Sequence, residues 1–191
     1  TAPKLKTIDL KGATVIPGFI DAHFHLKNYG KRLEQINFKG LTSLNQIKKL
    51  IEKKLQSIQK GEWILGFGWD QNLWDSKLFP SSDMLNNIAP NNPIYLTRID
   101  GHAAWVNNAA IAKTNCSIRD LKQIAGGQVI NNCIMIDNTM GAFKSYLPSE
   151  DKDQIKKWIS LAAQNACKMG ITGVHDAWQD RNTVTAIKEL I

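Results

Sequence analysis

The sequence is poor in cysteine, in long apolar runs and in nucleotide-binding motifs. Its three cysteines, Cys116, Cys133 and Cys167, are scattered and form no CxxC pair, which argues against a disulfide framework or a zinc knuckle. No apolar run approaches the roughly 20 residues that a membrane span needs. Neither GxGxxG nor GxxxxGK[ST] follows any predicted strand, so the sequence does not support a nucleotide-binding sheet.

Charge and the first residues favour a cytoplasmic protein without a membrane or nucleic-acid partner. The first six residues lack the apolar stretch of a signal peptide. Residues 1–60 hold twelve Lys and Arg against four Asp and Glu, within a net charge of +7 for the chain. Because most of this excess falls on the polar side of one predicted amphipathic helix, we interpret it as a solvated face, not a nucleic-acid surface. Its basic residues are Lys48, Lys49, Lys53, Lys54 and Lys60.

The apolar pattern alternates between short strands and longer helices, which predicts an α/β fold with a parallel sheet, as a barrel or a doubly wound sheet. Predicted strands cover 14–22, 63–66, 93–98 and 171–174; predicted helices cover 44–58, 82–88, 103–113, 149–169 and 183–191. Ser43 and Ser149 are the expected caps of two helices, and Gly61 and Gly170 their expected ends. Residues 114–148 interrupt this alternation of strands and helices. We interpret them as an insertion with a hairpin across Asn131-Asn132.

All four histidines fall at or just beyond the ends of predicted strands. Polar and aromatic residues follow the strands in pairs: His23 and His25, Trp69 and Asp70, Asp100 and His102, and His175 and Asp176. The carboxyl ends of barrel strands are where α/β barrels assemble catalytic groups. The sequence therefore predicts a shared site at this edge.

The His23-Phe24-His25 segment has the spacing of a metal site. Residues i and i+2 of a strand point to the same side, so two imidazoles can hold one ion and leave positions open for water. A bound metal lowers the pKa of such a water to about 7 and polarises a substrate carbonyl. An isolated HxH pair is also compatible with hydrogen-bonded core or surface histidines.

Four stretches together resemble amidohydrolase family 3, a branch of the amidohydrolase superfamily that includes N-substituted formamide deformylase-like proteins. Val15–Leu26 (VIPGFIDAHFHL), with its lead-in over 8–13, resembles the first-strand signature of the superfamily. The branch is matched by Trp63–Trp74 (WILGFGWDQNLW), Leu96–Ala110 (LTRIDGHAAWVNNAA) and Gly170–Ala177 (GITGVHDA), and more loosely by 126–140 and 147–148.

This resemblance implies a distorted (β/α)8 TIM-like barrel of the metal-dependent hydrolase type. His23 and His25 would be ligands of a divalent metal, for which zinc is the first expectation. The complete protein would hold one or two ions. The implied reaction is hydrolysis of a C–N bond in a small amide or formamide-like substrate by metal-activated water. Residues 1–12 would be the end of a β-sandwich strand, and 13–191 the first part of the barrel.

The remaining candidates each have two interpretations. His102 would orient substrate or bind a developing oxyanion, or with Asp100 it would cap a helix starting near Ala103. His175 and Asp176 would reach the metal or its ligands, or bond within their own loop.

Asp70 and Arg98 would contact substrate or form a structural ion pair between loops. Asp137 would belong to a substrate loop or to a turn. Three tryptophans near strand ends would line an apolar substrate wall or simply pack; they are Trp69, Trp74 and Trp105.

Several elements implied by the family have no counterpart among the 191 residues. A full barrel takes about 250 residues, and no residue matches the carboxylated lysine, the downstream histidines or the final aspartate of the family. We therefore expect a fragment with an incomplete, inactive site, against the alternative of a half-sized relative. The rival function is a non-catalytic half-barrel scaffold that pairs with a second copy as a homodimer.

Overall fold

The strands divide into two sheets, and this division decides where the candidate residues lie. The computed structural model describes residues 7–191. In the smaller sheet, β1 (Phe19–Phe24) pairs in parallel with β8 (Ile171–Asp176). The larger sheet has the order β2-β3-β4-β5-β7-β6. Its strands are β2 (Ile36–Asn37), β3 (Ile64–Trp69), β4 (Ile94–Arg98), β5 (Ala103–Val106), β6 (Gly127–Ile130) and β7 (Ile134–Asp137).

Seven α-helices connect the strands of the described part. They are α1 (Leu26–Glu34), α2 (Leu44–Leu55), α3 (Asp83–Ile88), α4 (Asn108–Lys113), α5 (Ile118–Lys122), α6 (Lys152–Lys168) and α7 (Arg181–Lys188), with 3₁₀ turns at Gln71–Leu73 and Asn138–Phe143. Strands β2, β3 and β4 run parallel, whereas β4–β5, β5–β7 and β7–β6 are antiparallel. No helix of residues 7–191 is both long and apolar enough to cross a membrane.

Local sequence signals placed most elements correctly. Ser43 caps α2 through a capping box, in which its hydroxyl accepts from the Gln46 amide and the Gln46 side chain accepts from the Ser43 amide. Asn131 and Asn132 both take positive φ, 49° and 55°, as a two-residue turn of type I′ requires. The predicted hairpin is therefore confirmed, and it extends the larger sheet beside β5.

The helix predicted over 103–113 is wrong in its first half. Residues Ala103–Val106 form strand β5, which is fully enclosed between β4 and β7. Alanine favours helix by a fraction of a kcal/mol per residue, and burial in the middle of a sheet outweighs that preference. The helix begins only at Asn108, so Asp100 and His102 do not cap it.

The predicted cap of α6 is wrong, and the predicted β-sandwich strand lies partly outside the described residues. The cap of α6 is Asp151, not Ser149, because the Asp151 carboxylate accepts from the Gln154 amide at 2.8 Å. Of the residues assigned to a β-sandwich strand, the first six lie outside the described residues, and residues 7–12 form no strand in the structure.

Helices α1, α6 and α7 pack together beside the smaller sheet, and α6 contacts β8. Helices α1 and α6 approach closely at Gly30, where a Cβ atom would collide with the main-chain carbonyl of Trp158. Apolar side chains of the three helices form one buried cluster, made of Leu26, Ile155, Trp158, Ile159, Ala186 and Ile187. Nearly 150 residues separate β1 from β8, and the whole larger sheet lies between them in the chain.

The larger sheet is buried on both faces. One face packs on α2 and α3 around Trp69, Trp74 and Trp105, while the other packs on α4, α5 and the second 3₁₀ turn. Asn107 ties these layers together although it is completely buried. Its side-chain oxygen accepts from the Ile94 and Ala110 amides, and its amide nitrogen donates to the Ala89 and Asn92 carbonyls.

Candidate metal centre

His23 and His25 lie together where β1 meets α1. Their ring centroids are 5.1 Å apart and the rings are nearly perpendicular. His23 is exposed on the strand, and the half-buried His25 is the residue immediately before α1. The Asp21 carboxylate accepts from the His23 amide at 2.9 Å, which fixes the main chain at this point.

The loop after β8 orients His25. The His25 Nδ1 lies 3.0 Å from the carbonyl oxygen of Ala177. A carbonyl only accepts, so Nδ1 carries the proton and donates, and the lone pair of the neutral ring is left on Nε2. Metal-binding histidines commonly have their other nitrogen held in this way.

Asp176 completes this corner of the smaller sheet. Its Oδ1 accepts from the amide of Leu26, the residue after His25, at 2.9 Å. Its Oδ2 is buried and has no hydrogen-bond partner among the described residues. A buried carboxylate oxygen without a partner is costly, and a cation or a donor group would satisfy it. The adjacent His175 is exposed at the same strand end.

The four histidines divide between the two sheets. His23, His25 and His175 belong to the smaller sheet, whereas His102 lies in the turn between β4 and β5 of the larger one. Across residues 7–191, no three His, Cys, Asp or Glu side chains come together as a metal cage. The described residues therefore fit the two-histidine part of a site and do not supply a full ligand set.

His102 pairs with Asp137, which the sequence did not predict. The two residues come from the turn before β5 and the end of β7, and His102 Nδ1 lies 2.8 Å from Asp137 Oδ1. The hydrogen bond and charge of Asp137 raise the pKa of His102 above its usual value of 6.5. Asp137 takes a φ of 48°, uncommon outside glycine. The exposed ring thus has its Nδ1 bonded and its Nε2 available.

Arg98 is engaged with protein groups on several sides. It lies 2.7 Å from the Asp100 carboxylate and 2.9 Å from the Gln71 side chain, with Asp70 at 4.0 Å. Asp70 also accepts from the Asn72 amide and so caps the first 3₁₀ turn. Of the two interpretations given for Asp70 and Arg98, this network has the geometry of the structural ion pair between loops.

The tryptophans pack inside the larger sheet's core. Trp69 and Trp105 are completely buried and Trp74 is 3% exposed. The indole nitrogens of Trp69 and Trp105 donate to the carbonyls of Leu96 and Ser81. These rings present no free face among the described residues, which favours packing over substrate contact.

The partners that orient the two candidate histidines could not be recognised in the sequence. The acceptor for His25 is a main-chain carbonyl, which any residue at position 177 provides. Asp137 lies 35 residues from His102, and only the antiparallel pairing of β5 with β7 brings them together. A predicted strand register for β5 and β7 would have been the one sequence signal that places Asp137 beside His102.

Comparison with known proteins assigns the family. The model of the amidohydrolase family, in the branch called amidohydrolase family 3, matches residues 6–190. The chain therefore belongs to this family.

Known relatives extend the comparison. Protein LONG AFTER FAR-RED 3 of Arabidopsis thaliana is 30% identical over 88% of this chain and 30% of its own length. N-substituted formamide deformylase of Arthrobacter pascens is 32% identical over 58% of this chain and 21% of its own length. The crystal structure of an uncharacterized metal-dependent hydrolase from Pyrococcus horikoshii has the same fold, with a TM-score of 0.67 at 21% identity, over 91% of this chain and 33% of that one. The chain thus spans about a third or less of these proteins.

Proposed function

We propose that this protein is a metal-dependent hydrolase of C–N bonds in small amide or formamide-like molecules, and that His23 and His25 hold its metal. Zinc is the first choice, because two imidazoles are typical zinc ligands. The strands β1 and β8 are then two neighbouring strands of a (β/α)8 barrel, whose candidate residues follow their carboxyl ends. Family membership supports hydrolysis, and the name of the Arthrobacter relative supports the type of bond.

The hydrogen bond from His25 to the Ala177 carbonyl carries this proposal. It presents Nε2 of His25 as a lone-pair donor beside His23, and the bond is made by the loop that follows β8, the strand adjoining β1. When bound, a divalent metal activates water and polarises the substrate carbonyl. Asp176 contributes by accepting from the Leu26 amide, which fixes the main chain next to His25, and its buried Oδ2 has no partner among the described residues.

His102 has a separate role in this proposal. With Nδ1 held by Asp137, its Nε2–H can donate to a substrate oxygen, and the raised pKa keeps the ring charged to higher pH. Asp100 supports it by accepting from the His102 amide at 3.1 Å. Asp70, Arg98, Trp69 and Trp105 form the structure behind this loop.

Metal content tests the proposal directly. Zinc is titrated into the chelator-treated chain and the bound metal is measured by elemental analysis after gel filtration. We expect the wild-type chain to retain zinc near one equivalent and the His23→Ala/His25→Ala variant to lose it. His102→Ala is the matched control, because it removes a histidine from the other sheet and should leave zinc unchanged.

One outcome would count against the proposal, and another against the expected inactivity of this chain alone. Zinc retained equally by the double variant would refute the assignment of His23 and His25. Since residues 7–191 bring together no three ligands, we expect no amide cleavage by this chain alone. Turnover that a chelator abolishes would overturn that second expectation.

A second candidate is a non-catalytic scaffold that pairs with another copy of this chain. Apolar side chains on and before β1 are largely exposed: Val15 72%, Ile16 61%, Phe19 59% and Ile20 67%. Among the described strands, β1 has β8 as its single neighbour, so its other edge is unpaired. Light scattering after gel filtration would give twice the chain mass of 21.4 kDa for a dimer; a monomer at every concentration would remove this candidate.

A further inference from the structure

A cavity of about 500 Å³ lies between helices α1 and α6 and the larger sheet. It is distinct from the histidine pair. The cavity contacts the last turn of α1 at Lys31, Glu34 and Gln35, whereas His25 precedes the first turn. The nine residues of α1 span about 13 Å at ~1.5 Å per residue, so the two ends of this helix are well separated. The volume of the cavity falls within the range of small-molecule sites, about 300–1,000 Å³.

The walls of this cavity are mainly apolar and aromatic. Trp63, Leu65 and Tyr95 line it from strands β3 and β4 and the residue before β3, and Trp158 lines it from α6. Trp158 is held in place, because its indole nitrogen donates to Glu34 at 2.6 Å. A rigid aromatic wall of this kind suits a flat ring.

Positive charge dominates the rim. Three lysines and one glutamate line the cavity: Lys31, Lys54, Lys157 and Glu34. Lys157 lies 2.6 Å from Glu34, and Lys31 lies 2.6 Å from Glu150. Lys54 has no ion pair within the described part of the chain. It is half-buried, whereas Lys48, Lys49, Lys53 and Lys60 around it are exposed, so it differs from the solvated basic face that the sequence predicts.

Tyr95 adds a polar group to the wall. It is 8% exposed, and no hydrogen bond joins its hydroxyl to another described residue. Burial raises the pKa of Tyr95 to about 12, so the phenol keeps its proton and remains a donor. The hydroxyl is not among the fully buried partnerless atoms of the described residues, and Tyr95 lines the cavity, so the hydroxyl can donate to a molecule bound there.

We propose that this cavity is a binding site for a small aromatic organic anion, such as an aryl carboxylate or sulfonate. The ring packs among Trp63, Leu65 and Trp158, the anionic group pairs with Lys54, and the Tyr95 hydroxyl donates to one of its oxygens. The site does not depend on the metal or on the proposed hydrolysis, so each can fail without the other.

The probe is 8-anilinonaphthalene-1-sulfonate, which joins aromatic rings to one anionic group and fluoresces when buried. We expect one equivalent to bind the chelator-treated chain. Lys54→Gln should weaken binding about tenfold, as expected for one lost charge pair of roughly 1.4 kcal/mol. Leu65→Trp, which fills the cavity, should abolish binding. Lys53→Gln is the matched control on the same helix and should bind like wild type.

Other results would overturn the proposal. Dye binding that Lys54→Gln and Leu65→Trp leave unchanged, but that Phe19→Ser removes, would place the dye on the exposed face of β1. No binding by the wild-type chain would also refute the site. Circular dichroism and the melting temperature of Leu65→Trp show whether it folds; if it does not, the comparison of Lys54→Gln with Lys53→Gln decides.

Discussion

The Nδ1 atom of His25 lies 3.0 Å from the carbonyl oxygen of Ala177, so the loop after β8 orients a histidine that follows β1. The two residues are 152 positions apart, and the parallel pairing of β1 with β8 brings them together. Any ligand held by His25 is therefore coupled to the packing of two distant segments.

This bond predicts the tautomer of His25. In the neutral ring we expect the proton on Nδ1 and the lone pair on Nε2. Long-range ¹H–¹⁵N correlation spectra of the metal-free chain distinguish the two tautomers. A signal from protonated Nε2 of His25 would contradict the geometry.

The His102–Asp137 pair predicts a pH effect. A raised pKa means that the folded chain binds this proton more tightly than the unfolded chain. The pair therefore stabilises the fold fully below the unfolded pKa, and the stabilisation is lost as the pH rises through the folded value. Asp137→Asn should lower the pKa of His102 in an NMR titration. Asp100→Asn should lower it less, and an unchanged value in Asp137→Asn would disprove the pairing.

Gly30 sets how closely α1 packs against α6. Alanine normally stabilises a helix interior relative to glycine by about 0.5–1 kcal/mol, but here its Cβ would meet the Trp158 carbonyl. We expect Gly30→Ala to destabilise the fold by about 1–3 kcal/mol, as overpacking does. Thermal unfolding measures this. Gly141→Ala is the control, because no atom of residues 7–191 lies within 4 Å of the added carbon; equal melting temperatures for both variants would contradict the prediction.

Asn107 makes four hydrogen bonds from a fully buried position. Asn107→Ala removes all four bonds, and only the Ala110 amide and the Ala89 carbonyl keep a main-chain partner, so we expect a loss of roughly 2–4 kcal/mol in the free energy of unfolding by urea. Asn107→Asp should be no better, because a carboxylate oxygen would face the Ala89 and Asn92 carbonyls. The neighbouring exposed Asn108 provides the control; an Asn107→Ala loss as small as that of Asn108→Ala would show that the bonds contribute little.

Much of the local structure was predictable from particular residues. Ser43 with Gln46 marks the start of α2, and Asn131-Asn132 marks the hairpin, because these residues satisfy main-chain groups within a few positions. The failure at Ala103–Val106 has the opposite cause. Its alanines favour helix locally, but pairing with β4 and β7 decides the conformation, and those strands are distant in the chain.

The sequence by itself identified the family and the histidine pair, because both depend on short motifs. Residues i and i+2 of a strand lie on the same side whatever the rest of the fold does. Only the tertiary structure decided which candidates share a sheet. It placed His25 beside Ala177 and His102 beside Asp137, and it separated those two groups into different sheets. Long-range strand pairing is set by the burial of whole faces and not by the residues at strand ends, so a pattern of strand ends alone could not distinguish one sheet from two.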